Sequence, residues 1–401
     1  MSNSMPDATR ESGRRPSRRA ILGGMAALAA TSTVPLFGAA SAVQAAAGPA
    51  SDLLYLSTWG GTSIYGFRFD PAAGSLTSLG AVAAVRSNWA SAHPAKPVLY
   101  VGSGEDGGVV SSYRVDLASG ALQLGTSVRT DAGGTAGGGI SYLEVDAGAL
   151  LVANFEAGLA ASLPLQDDGS LGTALSTVAD VGSGPNPRQA APHPHHITLA
   201  PGGRFALVTD FGADRVFSYD FDRKTGALSF DPTTGRRSYA LPAGSGPRRL
   251  LFGPDGRTAY LLSELSADLQ VLEWNSRTGS LTLRQTISTD SPDHTGTRSA
   301  AELALSRDGR FVYASNRGEN SLVVYAVDRR TGQLTLVQRL PCGGNVPWSF
   351  SLHRSGRWLL VANEASNTVD VFQVASTTGK LTATSVSVPI TNPDCLTFVY
   401  R

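Results

Sequence analysis

The chain of 401 residues has only two cysteines, Cys342 and Cys395. Two cysteines cannot make the dense disulfide framework of a small secreted domain, and no CxxC pair is present to build a zinc or dithiol redox site. The simpler expectation is two separate small buried side chains just before innermost strands of neighbouring repeats, although pairing would be open to them in an oxidising compartment. Charge is also scarce. Charged residues make up 16%, and Lys+Arg 33 stand against Asp+Glu 32. Such a balance gives no electrostatic footprint for nucleic acid or a membrane surface as partner. Two catalytic signatures are missing as well: the GxSxG nucleophile turn and the GxxxxGK[ST] phosphate loop. The glycine-rich stretch from Gly133 to Ile140 lacks the strand-to-helix context of such loops and reads as a plain loop.

Glycine, by contrast, is abundant, with 45 residues. Together with low charge this suits a β-rich fold with many tight turns. The N-terminal segment is set aside first. Ser17-Arg18-Arg19-Ala20-Ile21-Leu22 resembles the twin-arginine export motif, and a weakly apolar Ala/Gly/Leu stretch follows it. Ala40-Ser41-Ala42 and Val43-Gln44-Ala45 both fit a small-x-small cleavage site. We therefore expect residues 1–47 to be a signal peptide and disordered segment. The mature protein, exported already folded through the twin-arginine machinery, would be secreted or held on the periplasmic or cell-wall side. No membrane anchor is expected after cleavage.

From residue 48 onward one pattern recurs. A strand rich in Tyr, Leu and Val appears seven times: "LLYLSTW", "VLYVGSG", "LLVANFE", "FALVTDFG", "AYLLSEL", "FVYASNRG" and "WLLVANEA". Each is followed by a turn and a strand start, as in "DPAAGSLTSL" and "DRRTGQLTL". The leucine after that turn falls at positions 76, 122, 171, 228, 281, 334 and 381, with spacings of 46, 49, 57, 53, 53 and 47. Between turns the residues alternate with the strand period. In the later copies a hairpin turn, "APGGRF", "GPDGRT", "SRDGRF" or "HRSGRW", precedes the Tyr/Leu/Val strand; its glycine supplies the positive φ of a tight turn. A period near fifty built only of strands and turns predicts an all-β, seven-bladed β-propeller. The first strand, from Leu53, lacks an inner partner, and the last segment, "CLTFVY" from Cys395, has no blade of its own. The economical solution is that the C-terminal strand joins the first blade and closes the ring.

Propellers bind ligands at one end of the central tunnel, so residues out of register with the repeat are the candidates. "APHPHHITL" holds His193, His195 and His196, half of the six histidines, without the further ligands of fixed spacing that a metal site would need. Arg248 and Arg249 stand at the entry to an inner strand, where arginine can clamp a carboxylate or phosphate with two donors. Glu264 and Arg317 occupy nearly the same point of successive repeats and should face the same tunnel end, as a site or as a structural ion pair.

These strings, "PHPHHITLAPGGRF", "GPRRLLFGPDGRTAYLLSEL", "SAAELALSRDGRFVYASNRGENSLVVY" and "LLVANEASNTVDVF", resemble the lactonase family of seven-bladed propellers, which includes 6-phosphogluconolactonases and carboxy-cis,cis-muconate lactonizing enzymes. The resemblance implies a catalytic set of one His, two Arg and one Glu, which falls on His195, Arg248, Arg317 and Glu264. His193 and Arg249 would be substrate-binding. Arg249 stands where the family often has His, and "FGPDG" replaces "FHPDG", which affects substrate identity. The implied activity is metal-independent and cofactor-free opening of a small-molecule lactone or sugar-derived ligand. His195, with an imidazole that titrates near neutrality, would activate water. An arginine would stabilise the oxyanion and Glu264 would orient His195 or an arginine. A non-catalytic propeller binding an extracellular or cell-wall ligand is the rival, and lactone formation by an isomerase-type enzyme a third reading.

Overall fold

The computed structural model describes residues 51–103, 108–130, 139–146, 148–233 and 235–400. The expected signal segment, its cleavage sites and most of the glycine-rich stretch before Ile140 lie outside the described residues. Among those described, no helix is long and apolar enough to cross a membrane.

Seven antiparallel sheets follow one another along the chain. In blade 7, for example, the strands run from Pro347–Leu352 innermost through Trp358–Asn363 and Thr368–Val374 to Leu381–Pro389 at the rim. The second strand of each blade explains the recurrent Tyr/Leu/Val pattern. It is buried along its whole length in Phe311–Asn316 and in Trp358–Asn363, because a neighbouring blade covers each face. Outer strands have one wet face and alternate, as Leu381–Pro389 does.

Seven apolar clusters fill the interfaces between successive blades. One packs Leu269 and Tyr260 of blade 5 on Val323 and Tyr325 of blade 6, and another joins Leu360 of blade 7 to Phe67 of blade 1. Four of the interfaces are pinned by a repeated hydrogen bond. Tyr55, Tyr100, Tyr260 and Tyr313 on second strands each donate from Oη to a turn carbonyl of the following blade, at Gly120, Gly169, Gly332 and Gly379, over 2.8–3.1 Å. The tyrosine of one sub-pattern and the turn glycine of the other are therefore two ends of one contact.

Closure occurs as the strand pattern predicts. The C-terminal strand Pro393–Val399 pairs antiparallel with Asp52–Thr58 and becomes the innermost strand of blade 1. Between blades 7 and 1 Asp52 binds His353 Nε2 at 2.9 Å and Arg354 at 2.8 Å. Cys342 and Cys395 are both buried free thiols. Cys395 lies inside the closing strand and not ahead of it, because pairing with the first blade begins two residues earlier, at Pro393. The irregular sheets are in blades 3 and 4. The outermost strand of blade 3 is reduced to Ser176–Ala179, and that of blade 4 is split into Leu228–Ser229 and Arg237–Ala240. Arg248, Glu264 and Arg317 thus sit on the regular blades 5 and 6, and what breaks the repeat there is side-chain identity alone.

Candidate active site

Two backbone registers, repeated blade after blade, aim side chains at one mouth of the tunnel. The first is a β-bulge at the start of the innermost strand. Pairing slips at Ile140/Tyr142, Pro194/His196, Pro247/Arg249 and Pro347/Ser349, which leaves Ser141, His195, Arg248 and Trp348 as the extra residues. A bulge bends the strand and re-aims the extra side chain, here into the tunnel mouth. The second register is the residue directly after the second strand. In six blades its N–H donates to a carbonyl at or just before the start of the inner strand: Trp59 to Asn392, Phe155 to Gly139, Phe211 to His193, Glu264 to Gly246, Arg317 to Ser299 and Glu364 to Val346, over 2.6–3.0 Å. Equal bonding makes these positions equivalent, so Glu264 and Arg317 do face the same end.

A pocket of about 200 Å³ opens there, lined by His195, Arg248, Arg249, Glu264 and Arg317 together with Arg188, Trp59, Trp348, Phe155, Glu156, Trp89, Asn88 and Ser141. Glu264 is its hub. One carboxylate oxygen accepts from Arg188 Nη1 at 2.7 Å; the other takes Arg248 Nη1 at 2.9 Å and Arg317 Nη2 at 2.8 Å. Burial alone would raise this carboxyl, but Arg317, Arg248 and Arg188 outweigh it and hold its pKa at about 2. Arg248 also donates from Nε to the Ala301 carbonyl at 2.7 Å, and Arg317 Nη2 reaches the Ala300 carbonyl at 3.4 Å. Burial lowers the Arg248 guanidinium to about 9, Glu264 opposing and Arg317 and Arg249 adding to the fall, so it stays cationic at neutral pH. Arg317 Nε is buried without a hydrogen-bond partner.

His195 is held in a different state from the one expected. Arg248 Nη1 contacts its Nε2, and a cationic guanidinium can only donate, so Nε2 is the acceptor and the proton sits on Nδ1. That Nδ1 is buried and unpartnered. Burial, then Arg248 and Arg249, push the imidazole well below its ordinary value. It is therefore neutral through the physiological range and does not titrate near neutrality as the sequence reading supposed. Glu264 makes no bond to it; the carboxylate orients arginines only. Arg249 lines the pocket as well. Its Nε and Nη2 make a two-pronged pair with Glu302 at 2.9 and 3.1 Å, and its guanidinium lies over Trp89 at 4.3 Å and Tyr142 at 4.6 Å. Its Nη1 also reaches the His195 carbonyl, at 3.5 Å. His193 does not line the pocket. It stacks on Phe155 at 4.4 Å, bonds the Phe155 carbonyl through Nδ1 at 2.9 Å, and so braces a pocket wall from behind.

Several lining residues escaped the sequence reading. Arg188 comes from the 3₁₀ turn Pro187–Gln189, inside the longest spacing of the array, and no repeat position marks it. Trp348 had a usable signal: Pro347-Trp348 repeats the Pro194-His195 and Pro247-Arg248 pairs at inner-strand starts. Trp59 occupies the register of Glu264 and Arg317 in blade 1. Around the pocket three arginines with little-exposed side chains (Arg248, Arg249, Arg317) face two such carboxylates (Glu264, Glu302), an excess of one positive charge. The rim adds one of each sign, Arg188 and Glu156. No group of three or more His, Cys, Asp or Glu is placed to hold a metal ion among the described residues.

The sequence matches the lactonase, seven-bladed β-propeller family over residues 54–398. It is 31% identical over 303 residues to a 6-phosphogluconolactonase of Bacillus subtilis, covering 74% of this chain and 83% of that one. The fold superposes on the periplasmic gluconolactonase of Pseudomonas aeruginosa with a TM-score of 0.77 and 34% identity, over 87% of this chain and 99% of the other. A Lactobacillus plantarum protein gives a TM-score of 0.78 at 29% identity, with 87% and 99% coverage.

Proposed function

The chain belongs to the seven-bladed β-propeller lactonase family, and from that premise we propose that its tunnel-mouth pocket hydrolyses a sugar-acid lactone, with Arg248 and Arg317 as the cationic donors to the ring carbonyl. One observation carries this reading: Arg188, Arg248 and Arg317 converge on the single carboxylate of Glu264 in a pocket sized for a small molecule, with an excess positive charge.

Opening a cyclic ester builds negative charge on the carbonyl oxygen. Fixed donors at that oxygen, held in a site of low dielectric, accelerate such steps by about 10²–10³. Glu264 pre-orients the donors through Arg248 Nη1 and Arg317 Nη2. Water must lose a proton as it attacks. His195 is the neutral base in reach, provided its Nε2 lone pair is released from Arg248. A ligand oxygen that takes over the Arg248 Nη1 donor releases it. The imidazolium then passes the proton to the alkoxide as the ring opens, so water and lactone give the hydroxy acid with no net proton change before the acid ionises. Export through the twin-arginine route is part of this proposal. It accords with the likeness to a periplasmic gluconolactonase and favours an unphosphorylated lactone.

The test is a pH-stat survey of six-, five- and four-membered lactones, with spontaneous opening subtracted and the Arg317→Ala variant as control. Turnover by the wild type that falls at least about 10²-fold in the variant supports the proposal. One observation favours a second reading, binding without turnover: the imidazole that lines the pocket, His195, is already engaged by Arg248. In that case ligand binding would be measurable with no acid released above background.

A further inference from the structure

We propose that Trp59, backed by Trp348, is a specificity residue that stacks against the apolar face of a saturated, polyhydroxylated six-membered ring. The proposal rests on the lactone reading above and names its substrate class. It starts from an exposure the fold does not need. Trp59 is 46% exposed, the sole aromatic among the exposed large apolar residues of the described chain. The others are aliphatic, such as Leu124, Leu283 and Leu336 on outer strands, where single exposed residues need no explanation. Trp59 instead stands at the pocket mouth.

Its presentation is built and not loose. The Trp59 N–H donates to the Asn392 carbonyl at 2.8 Å, and Gly61 N–H returns to the Thr58 carbonyl at 3.0 Å. Gly60 holds a φ of +67°, and a Cβ on Gly61 would fall 1.9 Å from Thr58 Oγ1, so a side chain at either position would strain this tight turn. The indole then leans on Trp348, with ring centroids 5.2 Å apart and planes at 42°. Trp348 in turn covers the guanidinium of Arg317 at 4.7 Å and that of Arg248 at 5.7 Å. The result is one continuous wall, cationic at the floor and aromatic toward the rim. Phe155 lines the same pocket, set edge-to-face against His195 at 5.6 Å.

A ligand whose ester oxygens meet the arginines must lay its ring carbons along the indoles. The negative face of an indole suits C–H groups polarised by neighbouring hydroxyls, and a six-membered ring offers such a face where a small aliphatic lactone does not.

The experiment compares wild type, Trp59→Ala and Trp59→Phe on D-glucono-δ-lactone and on γ-butyrolactone. Trp59→Ala is expected to raise KM for the sugar lactone about tenfold, equivalent to about 1.4 kcal/mol. Its kcat should stay within about twofold and Trp59→Phe should recover most of the loss, while KM for γ-butyrolactone moves less than about twofold. Equal change for both rings, or none, overturns the proposal. If the wild type opens neither lactone, the hydrolase reading fails, and the stacking role is decided by calorimetric binding of the unreactive D-glucono-δ-lactam. A Kd at least about tenfold weaker in Trp59→Ala upholds it; an unchanged Kd overturns it.

Discussion

The two ends of the propeller use the same repeat in opposite ways. At the end away from the pocket, the hairpin turns of blades 4 to 7 repeat in backbone and in residue. Gly203, Gly256, Gly309 and Gly356 each hold φ near +64 to +69° and donate to the carbonyl three residues back, over 2.8–3.0 Å. At the pocket end the backbone bond repeats in six blades, yet the side chains it carries are Trp, Phe, Phe, Glu, Arg and Glu. One end spends its residues on the turn geometry that every blade requires. The other keeps the geometry and varies the chemistry. A propeller can therefore change its ligand without disturbing its blades, and substitutions at the two ends should separate stability from activity.

The largest effect is expected at the hub. Glu264→Gln leaves Arg248 and Arg317 buried without their counter-charge, a loss of about 3–5 kcal/mol for breaking a buried pair, with activity down at least about 10²-fold. Chemical denaturation and lactone turnover read the two effects. The same residue sets an acid limit. Its folded pKa, at about 2, lies below the unfolded carboxyl value. Its stabilisation is therefore complete above the unfolded value near 4.3 and is lost as pH falls toward 2. The Glu264→Gln variant should lack that part of the acid slope; equal slopes would mean the hub is not ionised as described.

Next in size are Arg317→Ala and His195→Ala. Each should lower turnover by about 10²-fold or more while the ring stays folded, since Glu264 keeps Arg248 and Arg188 in both. Smaller effects belong to the scaffold. Tyr313→Phe deletes the inter-blade bond to the Gly379 carbonyl and should cost about 1 kcal/mol, with turnover unchanged. Gly356→Ala, where a Cβ would meet nothing within 4 Å, isolates the cost of the positive φ at about 1–2 kcal/mol and should also leave turnover alone. Loss of activity in either scaffold variant would break the separation of the two ends.

The fold was legible because the repeat is a packing code. The tyrosine and the turn glycine recur because they bond one another across four of the interfaces, and the partnerless strand from Asp52 and the blade-less strand from Pro393 could only serve each other. Four residues that line the pocket, His195, Arg248, Glu264 and Arg317, were legible as departures from that code. Arg188 was not, because it comes from an insertion that no repeat aligns. Trp59 and Trp348 were overlooked because aromatic residues in a strand-rich sequence pass for core. The state of His195 was also hidden. Its place in the sequence says nothing of Arg248 at its Nε2 or of the burial that keeps it neutral.

The most direct test sets the two ends against each other in one assay: initial rates of D-glucono-δ-lactone opening, background subtracted, for wild type, Arg317→Ala and Gly356→Ala at matched folded concentration. The account predicts that Gly356→Ala retains the wild-type rate within about twofold while Arg317→Ala loses about 10²-fold or more. Equal rates for all three proteins, at or above background, would contradict it.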